Sequence, residues 1–300
     1  MNNIPEFPQQ TEIKFEHNDI LRAATTAEGI RSAEYSLYYL KTWFYNRPAL
    51  ISRIGDRLVL DVEGRQGGHI FLGPFGKGPI KPAVEKLLLH AEKDFGEERI
   101  LHFIPGPLAE AIHKEITPTR VEEHRDYFDY LYLREELADL SGGKFQKRRN
   151  QLNKFQREHN AHIIPLKEED SDRIIHCLDC WYEKYGDEDA FLDMERESVK
   201  RALPNLWRLG GVGIRVSVAE NTCGITWAVP ISDDTWLVPV EKAPREVKGI
   251  YQYVNWALAN SLPASARILN READLGIEGL RTAKERYNPF GFEKKITFWF

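Results

Sequence analysis

Between Ala49 and Phe71, short β-branched and apolar runs alternate with Gly-Asp and glycine-rich turns, a pattern that predicts strands at Ala49–Ile54, Leu58–Val62 and His69–Phe71. From Lys81 to Lys93 the period changes: Val84, Leu87, Leu88 and Ala91 form a helical stripe. A strand at Ile100–Ile104 and a short helix at Leu108–Lys114 follow. The same grammar returns in the second half. Strands are expected at Gly213–Ala219, Gly224–Ile231 and Trp236–Val240, a helix at Ile250–Asn260, a strand at Arg267–Leu269 and a helix at Ile277–Tyr287.

The repeated order, three strands, a crossover helix, a strand and a helix, spans about ninety residues each time and favours a duplicated structure. Three antiparallel strands followed by a crossover helix match the plan of GCN5-related N-acyltransferases. The expected fold class is therefore α/β (α+β), two tandem acyltransferase-like domains, each a mixed, mostly antiparallel sheet flanked by helices. The expected division is residues 1–140, a linking helix over 141–160, and residues 161–300.

That linker carries Lys144, Lys147, Arg148, Arg149, Lys154 and Arg157, while Phe145, Leu152 and Phe155 gather on one side of a helix turning about 100° per residue. It is a local basic patch on an otherwise acidic chain, whose net charge of −5 gives no global attraction to nucleic acid or anionic lipid. Length (300 residues), 42% hydrophobic and 29% charged residues fit a globular protein with room for two domains. No basic and apolar leader opens the sequence, and no apolar run approaches the roughly 20 residues of a membrane span, so a soluble protein without integral membrane contact is expected. Three cysteines cannot build a disulfide framework, which fits a reducing, cytoplasmic setting.

Candidate chemistry is sparse. Cys177 and Cys180 beside His176 have zinc-like spacing, yet nothing completes four ligands; no metal is expected, and both cysteines fit the inward face of a helix over Asp172–Lys184. The run Gly73-Pro74-Phe75-Gly76-Lys77-Gly78 before the first crossover helix is either a phosphate-binding turn or an ordinary one. Its counterpart, Glu241 to Tyr251, keeps a single glycine, Gly249, and departs from the R/Q-x-x-G-x-G/A signature that cradles the pyrophosphate of coenzyme A. Glu241, following a strand, is a candidate general base or an ion-paired loop carboxylate. The densest polar stretch, Asn270 to Arg281, leaves a buried strand and enters a helix, where binding groups tend to gather. On that helix Lys284 and Tyr287 are candidates to stabilise or protonate a reacting group. Trp227, Trp236, Trp256 and Trp299 fit an acceptor pocket less well than the core.

Three segments, D-Y-F-D-Y-L-Y with K-F-Q-K-R-R-N-Q-L-N-K-F, E-K-A with G-I-Y-Q, and N-R-E-A-D-L-G-I-E-G-L-R-T-A-K-E-R-Y-N-P, together spanning Asp126 to Pro289, resemble the phosphatidylglycerol lysyltransferase C-terminal-domain family. The resemblance implies tandem acyltransferase-like domains related to Fem-type aminoacyltransferases, whose membrane-embedded relatives move an aminoacyl group from charged tRNA to phosphatidylglycerol. It implies here a transferase with catalytic Glu241, Lys284 and Tyr287. Donor or substrate contacts are expected from Lys144, Lys147, Arg148, Lys242, Gly249, Tyr251, Asn270, Arg271, Asp274 and Arg281. The donor is expected to be aminoacyl-tRNA, engaged through the helix at 144–157, or else acetyl-CoA, with no tightly bound cofactor. The acceptor is a small molecule, a peptide or a lipid head group. An inactive ligand-binding double domain is the competing class.

Overall fold

The computed structural model describes residues 4–64, 67–95, 98–186, 190–218 and 221–300. The first half runs β1 (Thr11–Glu12), α1 (Asn18–Glu28), α2 (Leu37–Trp43), β2 (Leu50–Ile54), β3 (Arg57–Glu63), β4 (His69–Gly76), α3 (Lys81–Phe95), β5 (Ile100–Pro105), α4 (Gly106–Glu115), β6 (Arg120–Glu123), β7 (Asp129–Leu133) and α5 (Arg134–Asp139). The linking helix α6 (Gln146–Glu158) follows a short turn of helix at Gly143–Phe145. The second half runs β8 (Ala161–Pro165), α7 (Ser171–Tyr185), α8 (Ala190–Arg208), β9 (Val212–Val218), β10 (Asn221–Pro230), β11 (Thr235–Lys242), α9 (Ile250–Ser261), β12 (Ile268–Asn270), α10 (Glu278–Glu285), β13 (Gly291–Glu293) and β14 (Lys295–Trp299).

These strands form three sheets, ordered β1-β2-β3-β4, β5-β14-β6 and β13-β7-β12-β11-β10-β9-β8. Among the described strands only β11 and β12 pair in parallel. The sheets do not divide where the chain order divides. β7, from the first half, lies between β12 and β13, with Leu269 opposite Tyr132. In exchange β14, the last strand, lies between β5 and β6. The expected boundaries at 140 and 160 thus follow the order of the chain and not the partition of its sheets. Every residue of β7 except Leu133 is buried, as a strand covered on both faces requires. The main apolar core runs through both halves, joining Leu37, Leu60 and Phe75 to Leu178, Leu203, Trp227 and Val240.

At the junction, strand exchange brings charge inside. Lys295, with no exposed surface, donates to Ser32 Oγ (2.5 Å), Asp129 Oδ2 (3.2 Å) and the Glu34 carboxylate. Asp129 also accepts from Ala33 N (3.0 Å) and Asn270 Nδ2 (2.9 Å). Glu293 accepts from Arg31 N (2.7 Å) and Gly106 N (3.0 Å). Burial pushes the Glu293 carboxyl up to about 7. A buried acid raised in this way is protonated in the folded chain while its unfolded counterpart is ionised, so it removes stability as pH rises from about 4.5 to about 7. Glu293→Gln is expected to flatten that decline in urea unfolding between pH 5 and 7.5; an unchanged slope would mean that Glu293 is ionised throughout.

The run Gly73 to Gly76 is no open turn. It continues β4, and the Gly76 amide donates to Glu28 Oε2 (3.0 Å), which also holds Arg57 (2.9 Å). Arg57 in turn donates to Pro74 O (3.2 Å) and Gly78 O (3.0 Å). A resident carboxylate therefore occupies the place a phosphate would need.

Candidate functional site

Strands β11 and β12 stay paired for three residues only, Thr235 with Ile268 to Leu237 with Asn270. Beyond them β11 continues to Lys242, while the other chain turns away through left-handed backbone at Glu272 (φ 55°), Leu275 (54°) and Gly276 (74°). A wedge opens at the carboxyl ends of two parallel strands, the usual place for ligands in such sheets.

Arg271 spans it. Its Nη2 meets Glu241 Oε1 at 2.9 Å, and Asn255 Nδ2, from α9, donates to Glu241 Oε2 at 3.2 Å. The guanidinium lies 4.8 Å from the Tyr287 ring centre and 5.3 Å from that of Tyr132, and the Arg148 guanidinium lies 5.4 Å from the same Tyr287 ring centre. Three atoms of this cluster, Arg271 Nη1, Tyr287 Oη and Asn255 Oδ1, are buried without a hydrogen-bond partner. Buried polar atoms are nearly always paired, and each orphan costs about 1–3 kcal/mol, so three in one place mark a site shaped for something else. Burial, reinforced by Glu241 and opposed by Arg271 and Arg148, raises the Tyr287 phenol well above its ordinary value. Burial works against the charge of Arg271, but Glu241, Tyr132 and Tyr287 outweigh it and hold the guanidinium cationic. At neutral pH the wedge thus offers two donors, Arg271 Nη1 and Tyr287 O–H, beside one acceptor.

Of the expected site residues, Glu241, Arg271 and Tyr287 meet here, with Arg148 behind them. Lys284 stands differently: its Nζ donates to the carbonyls of Arg271, Glu272 (2.9 Å) and Ala273 (2.8 Å), so all three of its N–H bonds hold the loop. Burial lowers it to about 8. Asn270 is equally occupied, donating to Arg31 O (2.6 Å) and Asp129 and accepting from Glu272 N (2.7 Å). Asp274, fully buried, accepts from Tyr130 Oη (2.6 Å), Arg125 (3.1 Å), Gly276 N (2.9 Å) and Arg281 (2.8 and 3.0 Å). Against the upward push of burial, the hydrogen bonds from Arg281 and Tyr130 hold that carboxyl far below the carboxylate range. Lys284, Asn270 and Asp274, with Arg281 clamping Asp274, fix the loop that aims Arg271.

Lys242 leaves β11 on the opposite face from Glu241, paired with Glu195 Oε2 (2.7 Å) and lying 4.5 Å from the Trp181 ring centre. Tyr251 Oη donates to Ala243 O (2.9 Å) and accepts from Ala243 N (3.3 Å). Gly249 starts α9 at φ 89°, where a Cβ would lie 3.0 Å from Phe155 Cβ on α6. The rest of the loop is latched as well: Trp181 Nε1 donates to Ala243 O (2.9 Å), Arg245 N to Tyr185 Oη (3.2 Å), and Lys184 and Tyr185 both grip the Glu246 carboxylate. Lys144, in the turn before α6, pairs with Glu136 (2.7 Å); on α6 Arg148 is buried, and Lys147 and Lys154 are exposed beside an open groove of about 380 Å³ that Gln146, Asn150 and Gln151 complete.

Sequence reasoning passed over Asn255, Tyr132 and Glu272. Asn255 had a signal: it is a polar residue between Tyr253, Val254, Ala257 and Leu258 on the buried side of α9. Trp227 and Trp236 are core residues; Trp227 Nε1 donates to Tyr38 Oη (2.9 Å). Cys177 and Cys180 are free thiols, and among the described residues no three His, Cys, Asp or Glu side chains cluster as metal ligands. Nor, among them, is any helix long and apolar enough to cross a membrane.

The family model described as phosphatidylglycerol lysyltransferase, C-terminal, matches residues 28–297. No curated protein matches the chain. Among solved structures, a conserved protein of unknown function from Bacteroides thetaiotaomicron shares 28% identity at a TM-score of 0.89, over 97% of this chain and 99% of that one. The C-terminal domain of a putative lysylphosphatidylglycerol synthetase from Agrobacterium fabrum is similar in fold (12% identity, TM-score 0.61, 95% and 91% covered). So is FemX (9%, 0.60, 97% of each chain). The tandem acyltransferase-like fold expected from the repeated grammar is the fold observed.

Proposed function

Because the chain belongs to the phosphatidylglycerol lysyltransferase C-terminal family, we propose that it moves an aminoacyl group from charged tRNA to an amine or hydroxyl acceptor in the wedge between β11 and β12. Family and fold make it a transferase of the acyl type. The observation that carries the finer reading is the convergence of Arg271 Nη1 and Tyr287 Oη, two buried donors without partners. An ester carbonyl oxygen placed between them gains both hydrogen bonds, and they strengthen as attack makes that oxygen an oxyanion. Glu241 orients Arg271, and Lys284 steadies the loop from which Arg271 projects.

Two features support tRNA over acetyl-CoA as donor. The amides that would receive a pyrophosphate are engaged in both halves, by Glu28 at Gly76 and by Tyr251 and Tyr185 at Ala243 and Arg245. The exposed groove of α6, with Lys147 and Lys154, suits a phosphate backbone. The acceptor is a small molecule, a peptide or a lipid head group that reaches the same wedge.

Incubation with charged total tRNA, and separately with acetyl-CoA, tests this by binding and by slow donor deacylation. Salt-sensitive tRNA binding with deacylation is the expected result; turnover of acetyl-CoA alone would sink the proposal. Lys147→Glu combined with Lys154→Glu is expected to weaken tRNA binding uniformly and to reduce the slope of log Kd against log salt by about two. An unchanged slope would make α6 an interdomain strut.

A further inference from the structure

Arg148 carries its charge into the protein without an anion to meet it. The residue is 7% exposed, and its guanidinium, a fork of N–H donors, makes a single hydrogen bond among the described residues, from Nη1 to Gln151 Oε1 at 2.9 Å. Arg271, Arg57 and Lys295 show how buried cations are matched elsewhere in the chain: the first has Glu241 at 2.9 Å, the second Glu28 at 2.9 Å, and the third both Glu34 and Asp129. A buried charge without a counter-ion is costly, and the donors left over at Arg148 are of the kind that an oxyanion fills in bidentate fashion.

Three elements close around those donors. Gln151, which holds Arg148, also lines the α6 groove of about 380 Å³, so the guanidinium stands at the inner wall of that groove. Tyr287 presents its ring, whose centre is 5.4 Å from the Arg148 guanidinium and 4.8 Å from that of Arg271. The first turn of α9 approaches as well: Gly249, its N-cap, has no side chain to cap the helix, and a Cβ there would stand 3.1 Å from Gln151 O. An uncapped helix N-terminus adds unpaired N–H groups and the positive end of a dipole. Glu241, the acid of the wedge, already has both oxygens engaged by Arg271 and Asn255.

We infer that Arg148 binds a phosphate ester, and that this phosphate belongs to the nucleotide whose ribose carries the aminoacyl group. The phosphate site stands on the geometry alone; its assignment to a nucleotide rests on the tRNA reading. Both guanidinium carbons lie within 5.4 Å of one ring centre, a span that a single ribose bridges. With its phosphate on Arg148, the nucleotide presents the ester carbonyl to Arg271 and Tyr287, and the groove with Lys147 and Lys154 takes the strand that precedes it. A phosphodiester brings one negative charge, which matches the one uncompensated cation. Arg148 thereby sets the register of the ester against the donors of the wedge.

The test follows the Arg148 Nε–H resonance in protein labelled with nitrogen-15 arginine, with adenosine monophosphate, adenosine or glycerol 3-phosphate as probe. Arg148→Met keeps the packing on Tyr287 and removes the charge, so it identifies the resonance; Arg148→Lys does so if the first variant fails to fold. The expected result is that the nucleotide moves the resonance, that adenosine leaves it in place, and that Arg148→Met weakens nucleotide binding by about 10- to 100-fold. No movement with the nucleotide, or equal movement with adenosine, overturns the phosphate site. Movement by glycerol 3-phosphate alone overturns the assignment to a nucleotide and gives the site to a lipid head group. Since no anion is lost with Arg148, the Met variant should melt no lower than the parent; a lower melting point with unchanged nucleotide affinity would make Arg148 a structural residue. On the same samples, deacylation of charged tRNA reports the transferase. Nucleotide binding at Arg148 without deacylation retires the tRNA reading and leaves the phosphate site, whereas full-rate deacylation by Arg148→Met retires the role of Arg148 and leaves the transferase.

Discussion

Lys295→Met is expected to lower the unfolding free energy by about 3–5 kcal/mol, because removing one partner of a buried ion cluster leaves the others charged and uncompensated. Lys295 has no exposed surface and is shared by Asp129 and Glu34, from opposite sides of the strand exchange. Burial works against its charge, but the two acids more than offset this and hold it protonated beyond the ordinary lysine range. The native contribution is thus present throughout the neutral range and fades only in strong alkali. In the variant the sign reverses. Asp129 and Glu34, side by side without their cation, resist ionisation in the folded chain, so the deficit should grow as pH rises from 5 to 8. Urea unfolding at both ends of that range measures it; a deficit below about 1 kcal/mol at pH 8, a fifth or less of an ordinary domain's stability, would mean that water or Asn270 replaces the cation.

This cluster also shows where sequence reading stopped. The strands β2, β3, β9 and β11 and the helices α3 and α9 were legible within a few residues, because each carries its own period and its own turn residues. Neither β7 nor β14 was assigned as a strand. β7 was visible only as a motif, and no local signal says that a strand at 129–133 will pair with one at 268–270. The α6 stripe of Phe145, Leu152 and Phe155 is buried as its spacing indicates, but Arg148, read as part of the basic patch, turns inward to Tyr287. Lys284 was found as a polar residue of α10, while the carbonyls that occupy it converge only because Glu272 and Leu275 adopt left-handed backbone. Composition reveals which side chains can do chemistry; which of them stay unpartnered is a property of the fold.

Tyr287→Phe should separate activity from stability more sharply than any other single change. Its hydroxyl is buried and unpaired in the resting protein, so removing it relieves an unsatisfied group and should leave stability unchanged or raised by up to about 1 kcal/mol. If the hydroxyl meets the developing oxyanion, transfer should nevertheless slow by about 10²–10³-fold. Arg271→Lys keeps a positive charge for Glu241 but loses the planar fork that aims Nη1 into the wedge, and should slow transfer by a similar factor. Because both act on one oxygen, the double variant should fall well short of the product of the two effects. Single-turnover aminoacyl transfer and thermal melts on the same samples read both quantities. A Tyr287→Phe protein that is more stable and fully active would place the oxyanion elsewhere, whereas one more stable and nearly inactive is what a site that trades stability for function should give.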